Sequence, residues 1–284
     1  SRGVIEVKEF RRLKKGDLVA VGRSEDGSNG IYVHATAFTQ PESQGEESFA
    51  FRQGRSRETA YAMDYDSIYD LLRYEKEHGG HITWVLGPAC CFDWDARHAF
   101  AKLVHGGYVQ AVLAGNALAT HDLEAGYRST ALGQDIYTQI SQPGGHYNHI
   151  DTINQVRKAG SIEKFVAEQN IQDGIMAACV QCKVPYVLTG SIRDDGPLPE
   201  VYADVYEGQN AMRDQVKKST TVICLATTLH SIATGNMTPS YRVLADGTVR
   251  PVYFYSVDVS EFAVNKLRDR GSLAVKTIVT NVQD

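Results

Sequence analysis

The chain has 284 residues, with 29 Lys and Arg against 34 Asp and Glu and a formal charge of -5. That length admits one large domain with or without a small appendage, and the mild acidity gives no electrostatic footprint for nucleic acid or an anionic membrane. No run approaches the roughly 20 apolar residues of a membrane span, and the opening Ser1-Arg-Gly-Val-Ile lacks a signal-peptide core, so a cytoplasmic protein is expected.

Residues 1–56 carry short runs of β-formers between Gly, Ser and Asn turns, among them Val4 to Val7, Asp17 to Gly22 and Gly30 to His34. They read as a small β-rich module ending in a polar linker from Gln40 to about Arg57. From residue 57 onward a second domain is expected. Tyr65 to His78 places Ile68, Leu71 and Leu72 at helical spacing and stops at Gly79-Gly80. Apolar strands follow at 81–86, 109–113, 185–189, 221–226, 252–257 and 273–279, with helical segments between most of them. That alternation predicts an α/β fold, a doubly wound and mostly parallel six-stranded sheet buried on both faces.

The five cysteines are an odd number set mostly in apolar runs, which fits reduced thiols. Cys179-x-x-Cys182 sits in a helical stretch without a second pair at zinc spacing, and reads as core. Cys90 and Cys91 follow Gly87-Pro88, where small residues let a ligand approach the backbone. The strand ending at Leu113 passes through Gly115 into a helix starting near Asn116, either a place where backbone N–H groups hold a pyrophosphate or an ordinary strand-to-helix turn that holds nothing. The strand 185–189 ends in Thr189 and Gly190, then delivers Arg193, Asp194 and Asp195 before Gly196, Pro197 and Pro199. This is either a capped surface turn or a ligand site at a strand's carboxyl end. At the next strand end Thr227, Thr228 and His230 precede a helix; the imidazole is a general acid or base, or a structural residue. Asp258 ends a strand where an acid binds ribose hydroxyls and repels a 2′-phosphate, favouring NAD over NADP, or else it caps the next helix. His146, His149 and Asp151 lie within six residues, but nothing nearby completes a metal set; a His-rich loop covering the crevice reads equally well, and no metal is expected.

Ala114-Gly-Asn-Ala-Leu-Ala, Thr189-Gly-Ser-Ile-Arg-Asp-Asp-Gly-Pro-Leu-Pro and Leu229-His-Ser-Ile-Ala-Thr-Gly-Asn-Met together resemble the archaeal-type ornithine cyclodeaminases. That family has also been labelled a lysine-oxoglutarate reductase/saccharopine dehydrogenase region, and forms the C-terminal part of cyanobacterial-type arginine dihydrolases. The resemblance runs from about Lys14 to the end. It implies an NAD-binding domain similar to that of deoxyhypusine synthase, a homo-oligomer, an amino-acid substrate, and conversion of L-ornithine to L-proline and ammonia with NAD as a recycled cofactor. Alternatives are an NAD-dependent amino-acid dehydrogenase or a non-catalytic NAD-binding domain of a bifunctional protein. Two departures stand out: Cys90 to Asp95 replaces a Gly-rich, His-Thr-Gly-like stretch, and an additional N-terminal region usual in the family is not in this sequence.

On that resemblance the cofactor contacts fall to Gly87, Pro88, Gly115, Asn116, Ala117, Gly190, Ser191, Thr227, Thr228, Asn236 and Asp258. Arg193 is expected to clamp the substrate carboxylate bidentately, Asp194 or Asp195 to receive an ammonium, and His230 to shuttle protons.

Overall fold

The computed structural model describes residues 12–19, 28, 62–244, 246–260 and 275–283. The chain divides into two compact units, Ser1–Ser56 and Arg57–Asp284. The β-rich module and its linker lie almost wholly outside the described residues, as does the stretch 261–274.

In the second unit the strands of the central sheet are β1 (Ile82–Leu86), β2 (Ala111–Gly115), β5 (Tyr186–Thr189), β6 (Val201–Tyr202), β7 (Thr221–Leu225), β10 (Tyr253–Asp258) and β11 (Val275–Val279). All seven are parallel, in the order β11-β10-β7-β1-β2-β5-β6. The six expected strands are all present. The seventh, β6, is two residues long at the sheet edge; behind Pro197 and Pro199 it is too short to show as a pattern. Two small antiparallel pairs stand apart, β3 (Thr130–Ala131) with β4 (Gln134–Asp135) and β8 (Tyr241–Val243) with β9 (Val249–Pro251).

The helices are α1 (Ala62–Glu77), α2 (Trp94–His105), α3 (Asn116–Arg128), α4 (His146–Ala159), α5 (Ile162–Glu168), α6 (Ile175–Cys182), α7 (Val205–Val216) and α8 (Thr228–Met237). Alternate strand residues enter different cores, as the period of two requires. Ile82, Trp84 and Leu86 of β1 join Phe100, Leu118, Phe165 and Ile175 under α2, α3, α5 and α6. Val85, Leu113, Val222 and Cys224 face Met212, Val216 and Met237 of α7 and α8.

Two buried charge networks lock helices onto this frame. Glu75 of α1, fully buried, accepts hydrogen bonds from the Thr220 and Thr221 hydroxyls and pairs with Arg250 at 2.7 Å. Asp122 of α3 accepts from Arg97 Nε at 2.8 Å and from the Ile175 and Met176 N–H groups at 3.0 and 2.7 Å, so it caps α6 while neutralising a buried guanidinium.

The chain leaves β1 toward β2, β5 and β6, then crosses back to β7, β10 and β11 on β1's other side. The strand order therefore reverses between β1 and β7, which is where a doubly wound sheet opens a ligand crevice at its carboxyl edge.

Candidate functional site

Register keeps the strand ends level: Leu86 lies opposite Ala114 and Leu225, and Gly115 opposite Thr189. Around them is a cavity of about 320 Å³. Pro88 contributes from beyond β1; Gly115, Asn116 and Ala117 from the β2–α3 turn; Gly190, Ser191, Arg193, Asp194 and Asp195 from beyond β5; and Thr227 and His230 from the start of α8. Four expected residues, Gly87, Thr228, Asn236 and Asp258, do not line it. Asp258 is 8 % exposed and its Oδ1 accepts the Ser260 N–H at 2.8 Å; the helix expected after it lies outside the described residues.

Two helices begin at this cavity without a side-chain cap. Neither Gly115 before α3 nor Thr227 before α8 offers its first turn a side-chain acceptor, whereas Asp93, Ser161 and Asp204 do so for α2, α5 and α7. Open N–H groups at the positive ends of two helices favour an anionic ligand. Between them the chain is tight. A Cβ on Gly87 would overlap the Ala226 carbonyl, and Ala226 itself holds a left-handed φ of 49°, a strained conformation for a residue with a side chain.

The loop after β5 is held from α3. Asn116 Nδ2 donates to the Gly196 carbonyl and its Oδ1 accepts the Leu198 N–H, both at 3.0 Å, so the amide is fully engaged in positioning the loop. Asp194 closes the first turn by accepting the Ser191 N–H at 2.8 Å. Asp195 is 3.2 Å from His149 Nε2. Arg193 is exposed, and its guanidinium takes no ion pair with any described residue.

His230 Nε2 lies 2.8 Å from Thr189 Oγ1. Burial pushes its pKa below the ordinary histidine value, against the opposing pull of Asp194. His149 is driven the other way. Contact with Glu124 raises its pKa, burial opposes this, and the Glu124 and Asp195 charges add to the rise. Glu124 is fully buried, and burial alone would raise its pKa. Contacts from His121 and His149, with hydrogen bonds from the Gly133 N–H and the Thr130 hydroxyl, outweigh burial and bring it to about 2.

His121, His149 and Thr189 also line the cavity; of these the sequence pointed to the crevice only for His149, as part of a His-rich loop covering it. The signal for His121 and Glu124 was available in Thr-His-Asp-Leu-Glu, four polar side chains on a stretch of helix that is buried throughout. His146 and Asp151 go elsewhere: His146 packs on Tyr147, and Asp151 pairs with Arg128. His121, Glu124 and His149 do come close enough to surround an ion. However, the two imidazoles are stacked at 4.7 Å with planes 27° apart, so their in-plane lone pairs run side by side. Glu124 is already engaged by Thr130, Leu132 and Gly133, and the trio reads as an ion-pair cluster. Burial pushes the Cys90 thiol up to about 12 and Cys91 well above its usual value, which makes both packing residues.

Residues 66–284 match the model of the arginine dihydrolase ArgZ-like, C-terminal, Rossmann-fold family. The chain belongs to that family. Among relatives of this ArgZ-like chain, an ornithine cyclodeaminase of Methanocaldococcus jannaschii is 41% identical over 285 residues, covering 98% of this chain and 62% of that protein. The ArgZ-like chain thus spans less than two thirds of that relative's length. The crystal structure of a conserved LOR/SDH protein from Methanococcus maripaludis superposes with a TM-score of 0.73 at 39% identity, over 80% of this chain and 68% of the other. The ternary complex of AgrE with ornithine and NAD+ superposes with a TM-score of 0.72 at 36% identity, over 80% of this chain and 32% of AgrE. Among the described residues no helix is long and apolar enough to cross a membrane.

Proposed function

We propose that this chain carries an NAD-dependent ornithine cyclodeaminase site, converting L-ornithine to L-proline and ammonia. The observation that carries the reading is the pair of uncapped helix starts, α3 and α8, opening on one cavity beside the β1–β7 switch point, in a chain whose relatives are ornithine cyclodeaminases. The Gly115 to Ala117 turn and Thr227 would hold the pyrophosphate. Gly87, Pro88, Gly190, Ser191, Thr228, Asn236 and Asp258 fall to the remainder of the dinucleotide. When bound, NAD supplies reversible two-electron acceptance at the substrate Cα and is regenerated within each turnover.

The chain's own residues bind, orient and move protons. Arg193, at the cavity and without an ion pair among the described residues, takes the substrate carboxylate. Asp194 and Asp195 supply negative charge for an ammonium. His230, held neutral by burial and oriented by Thr189, accepts a proton, a contribution of about 10²–10⁴-fold. The loop that carries the charges is fixed by Asn116, so orientation comes from the scaffold.

The remaining assignments belong to the same reading: a separate module over 1–56 joined to an NAD-binding domain over 57–284, a homo-oligomer and a cytoplasmic setting. Mass spectrometry of the purified chain for retained NAD, followed by incubation with ornithine, tests the function. Proline without net absorbance at 340 nm is expected. Accumulating NADH would indicate a dehydrogenase instead, and NAD binding without ornithine consumption would indicate a binding domain.

A further inference from the structure

We infer that Glu124 is a positioning residue that holds His149 between itself and Asp195, and that His149 so held is the proton donor of the cavity, opposite His230. The inference deepens the cyclodeaminase reading and rests on it for the identity of the proton's recipient.

The geometry is specific. Glu124 is itself immobilised: Oε1 accepts from Thr130 Oγ1 at 2.7 Å and from the Gly133 N–H at 2.9 Å, and Oε2 accepts from the Leu132 N–H at 3.2 Å. His149 Nδ1 faces Glu124 Oε2 at 3.4 Å, an ion-pair contact in which the buried ring nitrogen completes no hydrogen bond, and Nε2 faces Asp195 Oδ2 at 3.2 Å. His121 stacks on the His149 ring at 4.7 Å and places its Nδ1 3.5 Å from the same carboxylate oxygen. His149 therefore has a buried anion on one side and a cavity-mouth anion, 64 % exposed, on the other. The titratable groups facing it are Glu124 and His121 from α3 and Asp195 from the loop after β5, which also brings Arg193 and Asp194 to the cavity. On its own helix Asp151 is turned to Arg128.

Two histidines on one cavity with environments of opposite bias form an acid–base pair. In ornithine cyclisation the δ-amine must lose a proton to attack Cα, and the α-nitrogen must gain one to leave. On this assignment His230 takes the first proton. The imidazolium of His149 gives its Nε2 proton to the departing nitrogen as the Cα–N bond breaks, the bond pair leaves on ammonia, and the ring nitrogen's lone pair closes C=N. His149 is then reprotonated from solvent past Asp195.

The test follows the titration of the His149 ring by NMR, together with kcat against pH. Glu124→Gln keeps the volume and removes the charge; Asp195→Asn removes the exposed partner without touching the buried cluster. Both are expected to move the His149 titration to lower pH, Glu124→Gln further, and to carry the alkaline limb of kcat with it, because a proton donor acts only below its pKa. A merely structural Glu124 would lower the melting temperature and leave the limb in place. His149→Ala is expected to lose about 10²-fold or more in kcat, with NADH affinity kept and activity restored by added imidazole. If the titration moves as stated while wild-type protein makes no proline, the functional reading fails and the positioning holds. An unmoved titration in both variants, or one equivalent of transition metal in the wild type that His149→Ala loses, would overturn the inference.

Discussion

Gly115→Ala is the smallest change that reaches the site through geometry alone. Gly115 has φ -91° and ψ 167°, an extended conformation open to alanine, so the substitution adds no backbone strain. Its new Cβ would stand 3.0 Å from His230 Cε1, where ordinary contact begins at 3.4 Å, so the imidazole must yield by about 0.4 Å. The ring is tied to Thr189 Oγ1 at 2.8 Å, and a shift of that size takes the bond to the long end of the hydrogen-bond range. A catalytic group misplaced by 1 Å costs about 10²-fold, so a loss of about 10-fold in kcat is expected here. The α3 N–H groups are unmoved, so NADH affinity, read by fluorescence titration, should stay within about twofold, and the melting temperature should stay within a few degrees. Full kcat in the variant would remove His230 from the chemistry. A kept kcat with lost NADH binding would mean that Gly115 serves the cofactor alone.

Two further outcomes probe the frame. Asp122→Ala leaves the fully buried Arg97 with the backbone carbonyl at 122 and, among the described residues, one carboxylate, Asp173 at 3.2 Å, and uncaps α6; about 3–5 kcal/mol of stability should be lost, a drop of roughly 10 °C in Tm by calorimetry, and a drop under about 2 °C would contradict the network. Native protein should react with a thiol reagent at one site, the exposed Cys182, and at five sites once unfolded, because Cys90, Cys91, Cys179 and Cys224 are buried with raised pKa values; a second fast-reacting thiol would refute the core assignment.

The parallel sheet was legible because its strands are near-continuous apolar runs, and because turns such as Gly115-Asn116 and Thr189-Gly190 punctuate their carboxyl ends. Parallel strands put all such turns on one edge, so a list of strand ends is already most of a site. What stayed hidden depended on non-local pairing. Asn116 reads as a helix start, yet its amide holds a loop 80 residues away. Asp258 reads equally as ribose ligand or cap; its Oδ1 accepts the Ser260 N–H, and the stretch from 261 to 274 lies outside the described residues. Sequence proximity groups His149 with His146 and Asp151, but α4 leaves His146 exposed, turns Asp151 to Arg128 at the end of α3 and turns His149 in toward Glu124.

Helix α3 then explains why the site is coherent. Asn116, Thr120 and Glu124 recur every four residues and share a face; Asn116 fixes the charged loop, Thr120 lines the cavity and Glu124 sets the histidines. Asp122, two residues on from Thr120 and on another face, anchors α3 to Arg97 and to the start of α6. The same helix presents its uncapped N-terminus to the crevice. The uncapped helix start, the charged loop and His149 are thus all referred to one rigid element, which a buried ion pair holds in place. Errors in that element's position would reach all three at once, which is why the charges that hold α3 are inside the protein, where solvent and salt do not loosen them.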